Sequence, residues 1–330
     1  MLLGMQNETP PERRSPDAGE PAFHFDARAV AAEFLRHIDE LKQNPVPPRP
    51  DQHLVARVLL KGWETEEAKG GRRSVQPFRI DEDGSIHQLN LYPASRAGFQ
   101  TNWVLFGSGS LEHLWEKTEK KVPEIRGAIE AGTLFDRLDL VEGLKDLVAL
   151  HHVRNNRQHG QFRVWLDENR PALDQAFTEL GHIGDLPDDD QLFRVAAEQL
   201  FAFTRNWVKT GSVQILTPDL DDAEFVISDV PTLTVQQLNR TDTIDRFGVP
   251  LAEANCLFMP IGPRCVAAIG SETGYLKVPL GTVRGLNTQQ TAHCYDLVFT
   301  RPGGPLQQFL SEHRQPPGPR RPMPSPATAR

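Results

Sequence analysis

Five acidic side chains surround a short apolar segment in the last third of the sequence: Asp219, Asp221, Asp222, Glu224 and Asp229. Carboxylates beside a strand are found in metal-dependent nucleases, where two cations hold the phosphoryl oxygens. The lysine that often follows such carboxylates is absent, because Glu224 leads directly into Phe225-Val226-Ile227. The pattern leaves two interpretations open, a nuclease centre or a solvated loop ahead of a buried strand.

A second polar stretch runs from His151 to His159. His152 and His159 are seven residues apart and share a face if the segment is helical. The stretch contains no carboxylate and no His-Glu-x-x-His pattern, so it lacks a complete set of metal ligands. The alternative is a polar helix end, where cationic groups interact favourably with the helix dipole.

A small-residue loop, Gly107-Ser108-Gly109-Ser110, joins a predicted strand to a predicted helix. Amides at a helix N-terminus can bind phosphate, but the loop lacks the third glycine of a dinucleotide fingerprint and the Gly-Lys-Ser/Thr of a P-loop. A flexible loop ending in a serine N-cap is the simpler interpretation. The three cysteines, Cys256, Cys265 and Cys294, form no Cys-x-x-Cys pair. We therefore predict reduced cysteines, no cofactor and no structural metal.

The elements that must position these residues change in type along the chain. Short β-rich runs lie near the N-terminus, including a hairpin from Ser74 to Leu91 and a strand from Thr101 to Phe106. Helical spacing dominates the middle, with a helix from about Asp190 to Lys209 and another beginning at a capping-box-like Asp139 and Glu142. Short β-rich runs return after Gly211, followed by a helix from Thr288 to Leu297. The order predicts an α+β fold, with β-rich N-terminal and C-terminal segments around a mainly helical middle.

Proline marks the predicted domain borders. Residues 1–50 are expected to form a Pro-rich extension with one amphipathic helix from Ala27 to Leu41 and a stiff linker at Pro45-Val46-Pro47-Pro48. Residues 51–300 are expected to form one α+β domain. Residues 301–330 are expected to be a disordered Pro/Arg-rich tail, and residues 1–25 and 303–330 to be mobile.

Charge and hydropathy exclude some classes of protein. The chain of 330 residues has a formal net charge of −8, which argues against nonspecific coating of nucleic acid or anionic membranes. A local basic groove would still allow nucleic acid to bind. No apolar run reaches the roughly 18 residues of a membrane span, and the start lacks the regions of a secretory signal. We predict a cytoplasmic protein with no membrane partner; its other partners are unknown.

Three segments together resemble a bacterial family known as domain of unknown function 4238. His53-Leu54-Val55-Ala56 and the later Trp63 resemble a family His-Tyr-Val-Pro segment with a downstream aromatic residue. The helix ending at Arg154 resembles one that ends in Gln-x-x-Arg-Thr-Pro, with His151 in place of the glutamine. Phe225 to Pro231 resembles Phe-Ile-Thr-Ser-Asp-Asn-Pro, with Val230 in place of asparagine. Phe258 to Pro263 and Asn287 fit later family positions, so the resemblance covers about Asp51 to Thr300.

The resemblance implies little about activity. Some family members look like candidate antiviral defence genes, which is a genomic association rather than a mechanism. It does draw attention to His53, Arg154 and Asp229, because each is costly to bury and each lies beside an apolar run. We predict that these three residues lie close together, with Arg154 as the counterion of Asp229.

Two hypotheses about function remain open. One is an interaction or sensing protein, linked to phage defence, that uses a pocket near His53, Arg154 and Asp229. The other is a hydrolase acting on nucleic acid or nucleotides by metal-dependent phosphodiester chemistry. Its candidate catalytic residues are Asp229 as metal ligand or base, Arg154 as phosphate clamp and His53 as proton carrier. A closed cluster favours the first hypothesis, and a bound metal or a basic groove beside Asp229 favours the second.

Overall fold

The computed structural model describes residues 26–49, 51–66, 73–81, 83–101, 103–237 and 246–312. Within these ranges the helices are α1 (Ala27–Gln43), α2 (Arg57–Leu60), α3 (Ser108–Glu119), α4 (Val122–Glu130), α5 (Leu138–Val153), α6 (Asn156–Glu179), α7 (Asp189–Thr210), α8 (Leu280–Ala292) and α9 (Leu306–Glu312). None of these helices combines the length and the apolar character needed to span a membrane.

The strands in the same ranges lie mainly before α3 and after α7. They are β1 (Asp51–His53), β2 (Thr65–Glu66), β3 (Arg73–Ser74), β4 (Gln76–Ile80), β5 (Ile86–Gln88), β6 (Phe99–Thr101), β7 (Ser212–Pro218), β8 (Ile227–Ser228), β9 (Leu233–Gln236), β10 (Arg246–Phe247), β11 (Cys256–Gly262), β12 (Cys265–Gly270), β13 (Gly274–Val278) and β14 (Leu297–Thr300). Sheets at both ends of the chain flank a helical middle, which confirms the predicted α+β class.

Two larger sheets are built from these strands. The six-stranded sheet has the order β10-β9-β11-β12-β7-β13, and only β13 pairs in parallel, with β7. The four-stranded sheet has the order β5-β4-β14-β8. In it Val298 of β14 lies opposite both Phe78 of β4 and Ser228 of β8. This pairing joins the predicted β4–β5 hairpin to strands more than a hundred residues later in the chain.

Helix α5 lies at the centre of the largest hydrophobic core. From Leu144 onward nearly every side chain of this helix is buried, including Leu147, Val148, Leu150 and Val153. A helix that is apolar on all sides must be surrounded by other elements. Here the neighbours are α3, α4 and α7, together with β11 of the six-stranded sheet. The core therefore carries the end of α5, and Arg154 directly after it, into the interior.

Helix α1 packs against α6 and α7. Asp26 caps its N-terminus by accepting hydrogen bonds from the amides of Arg28 and Ala29. Phe34 and Ile38 are buried in a cluster with residues of α6 and α7. The helix ends at Gln43, two residues later than the predicted Ala27 to Leu41 segment, with Asn44 at its C-cap.

The linker after α1 covers the N-terminus of α3. The amide of Arg49 donates to Oγ of Ser108 at 2.9 Å. A Cβ on Gly109 would lie only 2.1 Å from the carbonyl oxygen of Pro47. Gly107 has a φ of +59°, which favours glycine. The chain's own backbone therefore lies where the Gly-Ser-Gly-Ser loop was considered as a phosphate cradle. The close approach of the linker explains Gly109, and the positive φ explains Gly107.

Three predicted elements differ from the structure. The strand expected from Thr101 to Phe106 ends at Thr101, because side chains of Gln52 and Asp190 take up the amides of residues 104–106. The helix expected from Thr288 to Leu297 begins earlier, at Leu280, and Leu297 starts β14 instead. The capping box expected at Asp139 is wrong, because Asp139 pairs with the side chain of Arg137.

Helix α6, which the sequence pattern does not predict, is the longest helix of the described residues. Asn155 caps its N-terminus by accepting from the amide of Gln158 at 3.0 Å. The polar start and the internal Pro171 disguise a sparse apolar stripe that packs on α1 through Leu166, Leu173 and Phe177.

At the C-terminus, α9 buries Leu306 and Leu310 in a cluster with Phe78 and Val298. The packed part of the chain therefore continues beyond the predicted boundary at residue 300, since two apolar side chains anchor this helix. The expectations for residues 1–25 and 313–330 lie outside the described residues.

Candidate functional site

Arg154 lies at the C-cap of α5, where its side chain faces α3. Glu112, Trp115 and Glu119 occupy successive turns of one face of α3, at spacings of three and four residues. The Arg154 guanidinium donates to both oxygens of Glu112, at 2.9 and 3.1 Å, and to Glu119. Its Cζ lies 4.6 Å from the ring centroid of Trp115, within cation–π range. We call Arg154, Glu112, Trp115 and Glu119 the Arg154 cluster.

The Arg154 cluster is almost closed to solvent. The side chain of Arg154 is 2% exposed, and those of Glu112 and Glu119 are 14% and 23% exposed. Burial raises the pKa of Glu112, and the charge of Glu119 adds to the shift, while the charge of Arg154 opposes it. Two carboxylates thus share one guanidinium, and the cluster carries a formal excess of negative charge.

His53 is half-buried and is affected by the charges of the Arg154 cluster. Burial lowers its pKa first, and the positive charge of Arg154 lowers it further, while Glu119 raises it. The ring is half-buried, and its Nε2 is 3.4 Å from the carbonyl oxygen of Ser95. His53 belongs to β1, which pairs with β6 and places it in register with Phe99. The charge of Arg154 therefore acts on His53, although no described contact joins the two side chains.

His151 stands one turn before Arg154 and is fully buried. Burial and the charge of Arg154 lower its pKa to about 3, so it is neutral at physiological pH. The His151 ring faces the main chain of Leu54, which partly opposes this lowering of the pKa. Nε1 of Trp115 and Nε of Arg154 are buried without a hydrogen-bond partner in the described residues. Such atoms carry a desolvation cost that the fold must bear. His151, which stands where the resembled helix end has glutamine, thus lies one turn before Arg154.

Asp229 has a separate environment. Its carboxylate accepts from the amides of Tyr295, Asp296 and Leu297 at 2.7, 2.8 and 3.1 Å. Its own amide donates to the carbonyl oxygen of Leu297. Burial raises the pKa of Asp229 to about 7, although the three amide hydrogen bonds oppose the shift. The carboxylate fastens the turn that leads into β14.

The predicted cluster of three residues is only partly formed. No described interaction joins Asp229 to His53 or Arg154, and the predicted Arg154–Asp229 ion pair is wrong. Arg154 takes Glu112 and Glu119 instead, because α3 packs against the end of α5. Asp229 accepts hydrogen bonds from main-chain amides, which satisfy a carboxylate without a counterion.

The other acidic residues of the 219–229 run serve different purposes. Glu224 is 3% exposed and pairs with Arg301. The guanidinium of Arg264 donates to main-chain carbonyls at 220, 221 and 223, which fixes the loop that carries Asp221 and Asp222. Within the described residues, no group of three or more His, Cys, Asp or Glu side chains is placed to hold a metal ion.

The two histidines considered as metal ligands lie in apolar surroundings. Burial lowers the pKa of His152 and of His159 to about 4 each. The His159 ring packs 4.2 Å from that of Phe193 and 6.1 Å from that of Trp103. His159 is thus a neutral, half-buried side chain in an aromatic cluster, and His152 is buried and neutral.

Several residues that carry the family resemblance bind main chain. Asn287 donates to the carbonyl oxygen of Glu224 at 2.8 Å and accepts from the amide of Val226 at 2.9 Å. Trp63 donates from Nε1 to the carbonyl oxygen of Phe225. These bonds hold the segment before β8 between α8 and the turn that follows α2.

Sequence reasoning missed the two carboxylates that pair with Arg154. The signal was present in the spacing of Glu112, Trp115 and Glu119, which places an aromatic ring between two acids on one helical face. Nothing in the sequence shows that this face meets the end of α5 rather than solvent.

Comparison with known proteins gives one match. A family model described as "Protein of unknown function (DUF4238)" matches residues 51–304. No curated protein and no solved structure matches the chain. The matched region includes His53, the Arg154 cluster, Asp229 and Asn287, and it ends just before α9. The chain therefore belongs to the DUF4238 family.

Proposed function

We propose that this protein is a cytoplasmic interaction or sensing protein that works by binding rather than by hydrolysis. The observation that supports the proposal is the closure of the Arg154 cluster. A phosphate clamp needs guanidinium N–H groups that face the substrate. In Arg154 both terminal nitrogens are bonded to carboxylates, and the Trp115 ring covers the guanidinium.

Displacement of those carboxylates by a phosphate would be unfavourable. Glu112 and Glu119 would keep their negative charges beside the incoming anion, in a region largely excluded from water. Asp229 is equally occupied, because three amides donate to its two oxygens. The residues considered as phosphate clamp and metal ligand are thus engaged within the protein.

His53 is the residue through which this site would act, because it is less buried than Arg154 and Asp229. It is half-buried, adjacent to the cluster and located on a short strand pair. The charges of the Arg154 cluster set the pKa of His53, and so they would influence the binding of a ligand or partner that contacts His53. We place the binding surface around His53 and Arg57, whose charge also acts on His53.

The alternative is a hydrolase acting on nucleic acid or nucleotides with a divalent metal. The observation that favours it is the charge of Glu119, which partly offsets the lowering of the His53 pKa by burial and by Arg154 and so favours an imidazole that accepts a proton. The test is a turnover screen of the purified chain on oligonucleotides and nucleoside triphosphates, with Mg²⁺ or Mn²⁺. A His53→Gln variant is compared with His87→Gln, which changes an exposed histidine.

We expect no turnover that depends on His53. Turnover by the wild-type chain that His53→Gln removes and His87→Gln retains would establish the hydrolase instead. The proposed setting is phage defence, which rests on the family association. Plaque counts on a bacterial host that expresses the chain should fall, and His53→Gln should restore them without a change in melting temperature. Equal plaque counts with and without the chain would refute that setting.

A further inference from the structure

A pocket lies between α8, α9 and the 220–224 loop, on the other side of the chain segment that Asn287 fastens. Its volume is about 420 Å³. Pockets that bind small molecules have volumes of about 300–1,000 Å³, so this one suits a ligand of the size of an amino acid or a dipeptide. Its lining includes Leu280, Val283, Leu306 and Phe309, which form an apolar wall.

Two unpaired charges of opposite sign lie at the edge of this pocket. Arg284 of α8 and Asp222 of the loop both line it, and both are exposed. Neither side chain has an ion-pair or hydrogen-bond partner among the described residues. The buried Glu224 contributes little net charge, because Arg301 neutralises it.

The start of α8 adds a second group suited to an anion. Pro279 at the N-cap provides no side-chain hydrogen bond, and the first turn contains no acidic residue. The positive end of the helix dipole is therefore uncompensated on the helix itself. Leu280 and Val283 of this turn line the pocket with Arg284. An anionic group beside Arg284 would be stabilised both by the guanidinium and by the positive end of the α8 dipole.

The loop opposite α8 is fixed before a ligand binds. Arg264 donates to three of its carbonyls, and Asn287 bonds to the carbonyl of Glu224. A pre-formed wall reduces the entropy that a ligand must lose on binding. The backbone that carries Asp222 is therefore fixed by these hydrogen bonds.

We propose that this pocket binds a zwitterionic ligand with an apolar body, of which an aliphatic or aromatic α-amino acid is the simplest. The ligand carboxylate pairs with Arg284 at the start of α8, and its ammonium group pairs with Asp222. Its side chain lies against Val283, Leu306 and Phe309. A simple apolar carboxylate would leave Asp222 facing an anion, and a simple amine would leave Arg284 unpaired. The pocket shares no residue with the Arg154 cluster, so this inference stands apart from the function proposed above.

Isothermal titration of the full chain with L-leucine and L-phenylalanine tests the proposal. Two further probes remove one charge each: the N-acetyl amino acids and the matching primary amines. We expect at least one amino acid to bind, and both kinds of modified probe to bind at least about tenfold more weakly. Arg284→Gln and Asp222→Asn should each weaken amino acid binding by about tenfold or more.

Matched controls change equivalent exposed charges on α1. Arg28→Gln and Asp39→Asn should leave binding unchanged, and all four variants should keep the wild-type melting temperature because the altered side chains are exposed. Absence of binding by every probe would overturn the proposal. Amino acid binding that neither pocket substitution weakens would also overturn it. Binding that requires the carboxylate and Arg284 but not the ammonium or Asp222 would replace the zwitterion with an apolar carboxylate.

Discussion

Substitution of Arg154 by methionine should destabilise the fold substantially. Methionine retains most of the length of the side chain and its packing on Trp115, but it removes the charge. Glu112 and Glu119 then face each other in a site where their side chains are 14% and 23% exposed. Removal of one partner from a buried ion pair costs about 3–5 kcal/mol. We expect about 3 kcal/mol, because partial exposure lets the stranded carboxylates recover some hydration.

The matched control is Arg205→Met. Arg205 forms an ion pair with Asp146 through two hydrogen bonds, but the Arg205 side chain is 46% exposed. Surface ion pairs contribute about 0.2–1 kcal/mol, so this substitution should cost at most about 1 kcal/mol. Urea unfolding followed by circular dichroism measures both. The Arg154→Met midpoint should fall by about 1 M urea, and the control midpoint should move far less.

A second substitution and the dependence on pH test whether the lost stability comes from the stranded carboxylates. Glu112→Gln added to Arg154→Met removes one stranded charge and should restore part of the lost stability. Burial already raises the pKa of Glu112, and loss of Arg154 removes the effect that opposes this rise. The unfolded state of the variant therefore releases this proton at lower pH than the folded state does. The deficit of Arg154→Met should accordingly be largest at pH 8 and shrink as the pH falls towards 5.5.

Equal costs for Arg154→Met and Arg205→Met would refute this reasoning. If, in addition, the Arg154 variant lost a binding activity while its unfolding midpoint stayed unchanged, Arg154 would be a functional group rather than part of a closed cluster. A deficit that grows at low pH would contradict the assignment of stranded carboxylates.

Three further predictions concern other parts of the molecule. The folded-state pKa values of His151, His152 and His159, about 3, 4 and 4, lie below the unfolded value of about 6.5. These histidines therefore lower the free energy of unfolding as the pH falls below about 6.5. Asp229 acts in the opposite sense and offsets part of this loss, so the unfolding free energies at pH 6 and 5 should differ by about 2 kcal/mol in favour of pH 6. Asp229→Asn should cost about 2 kcal/mol in urea unfolding, because an amide replaces one acceptor with a donor that faces main-chain N–H groups; no loss would contradict the three-amide assignment. Gly109→Ala should lower the melting temperature, since its Cβ would overlap a carbonyl of the linker, whereas Gly127→Ala in α4, where nothing lies within 4 Å, should not.

The sequence is informative where local chemistry decides the structure. The helix from Asp189–Thr210 follows from its apolar stripe and its start at Asp188, which forms a capping box with Gln191. The β4–β5 hairpin follows from alternating residues around Gly84, which has a φ of +80°. In both cases the signal lies within a few residues, and packing only reinforces it.

The sequence misleads where distant packing decides. Helix α6 begins with a polar run and contains Pro171, so its local propensity is poor, and it is stabilised by Leu173 and Phe177 against α1. The partner of Arg154 could not be predicted for the same reason. A buried arginine needs a carboxylate, but which carboxylate depends on the packing of α3 against α5.

Residues that carry the family resemblance differ in how much of their bonding capacity the fold uses. Asp229 receives three amides, and Asn287 bonds to two main-chain groups. Arg154 is held by two carboxylates and a ring. A group that acts on a substrate must also be reachable by that substrate. His53 is half-buried, whereas Arg154, Asp229 and Asn287 are buried, so substitution of His53 separates a functional role of this site from a purely structural one.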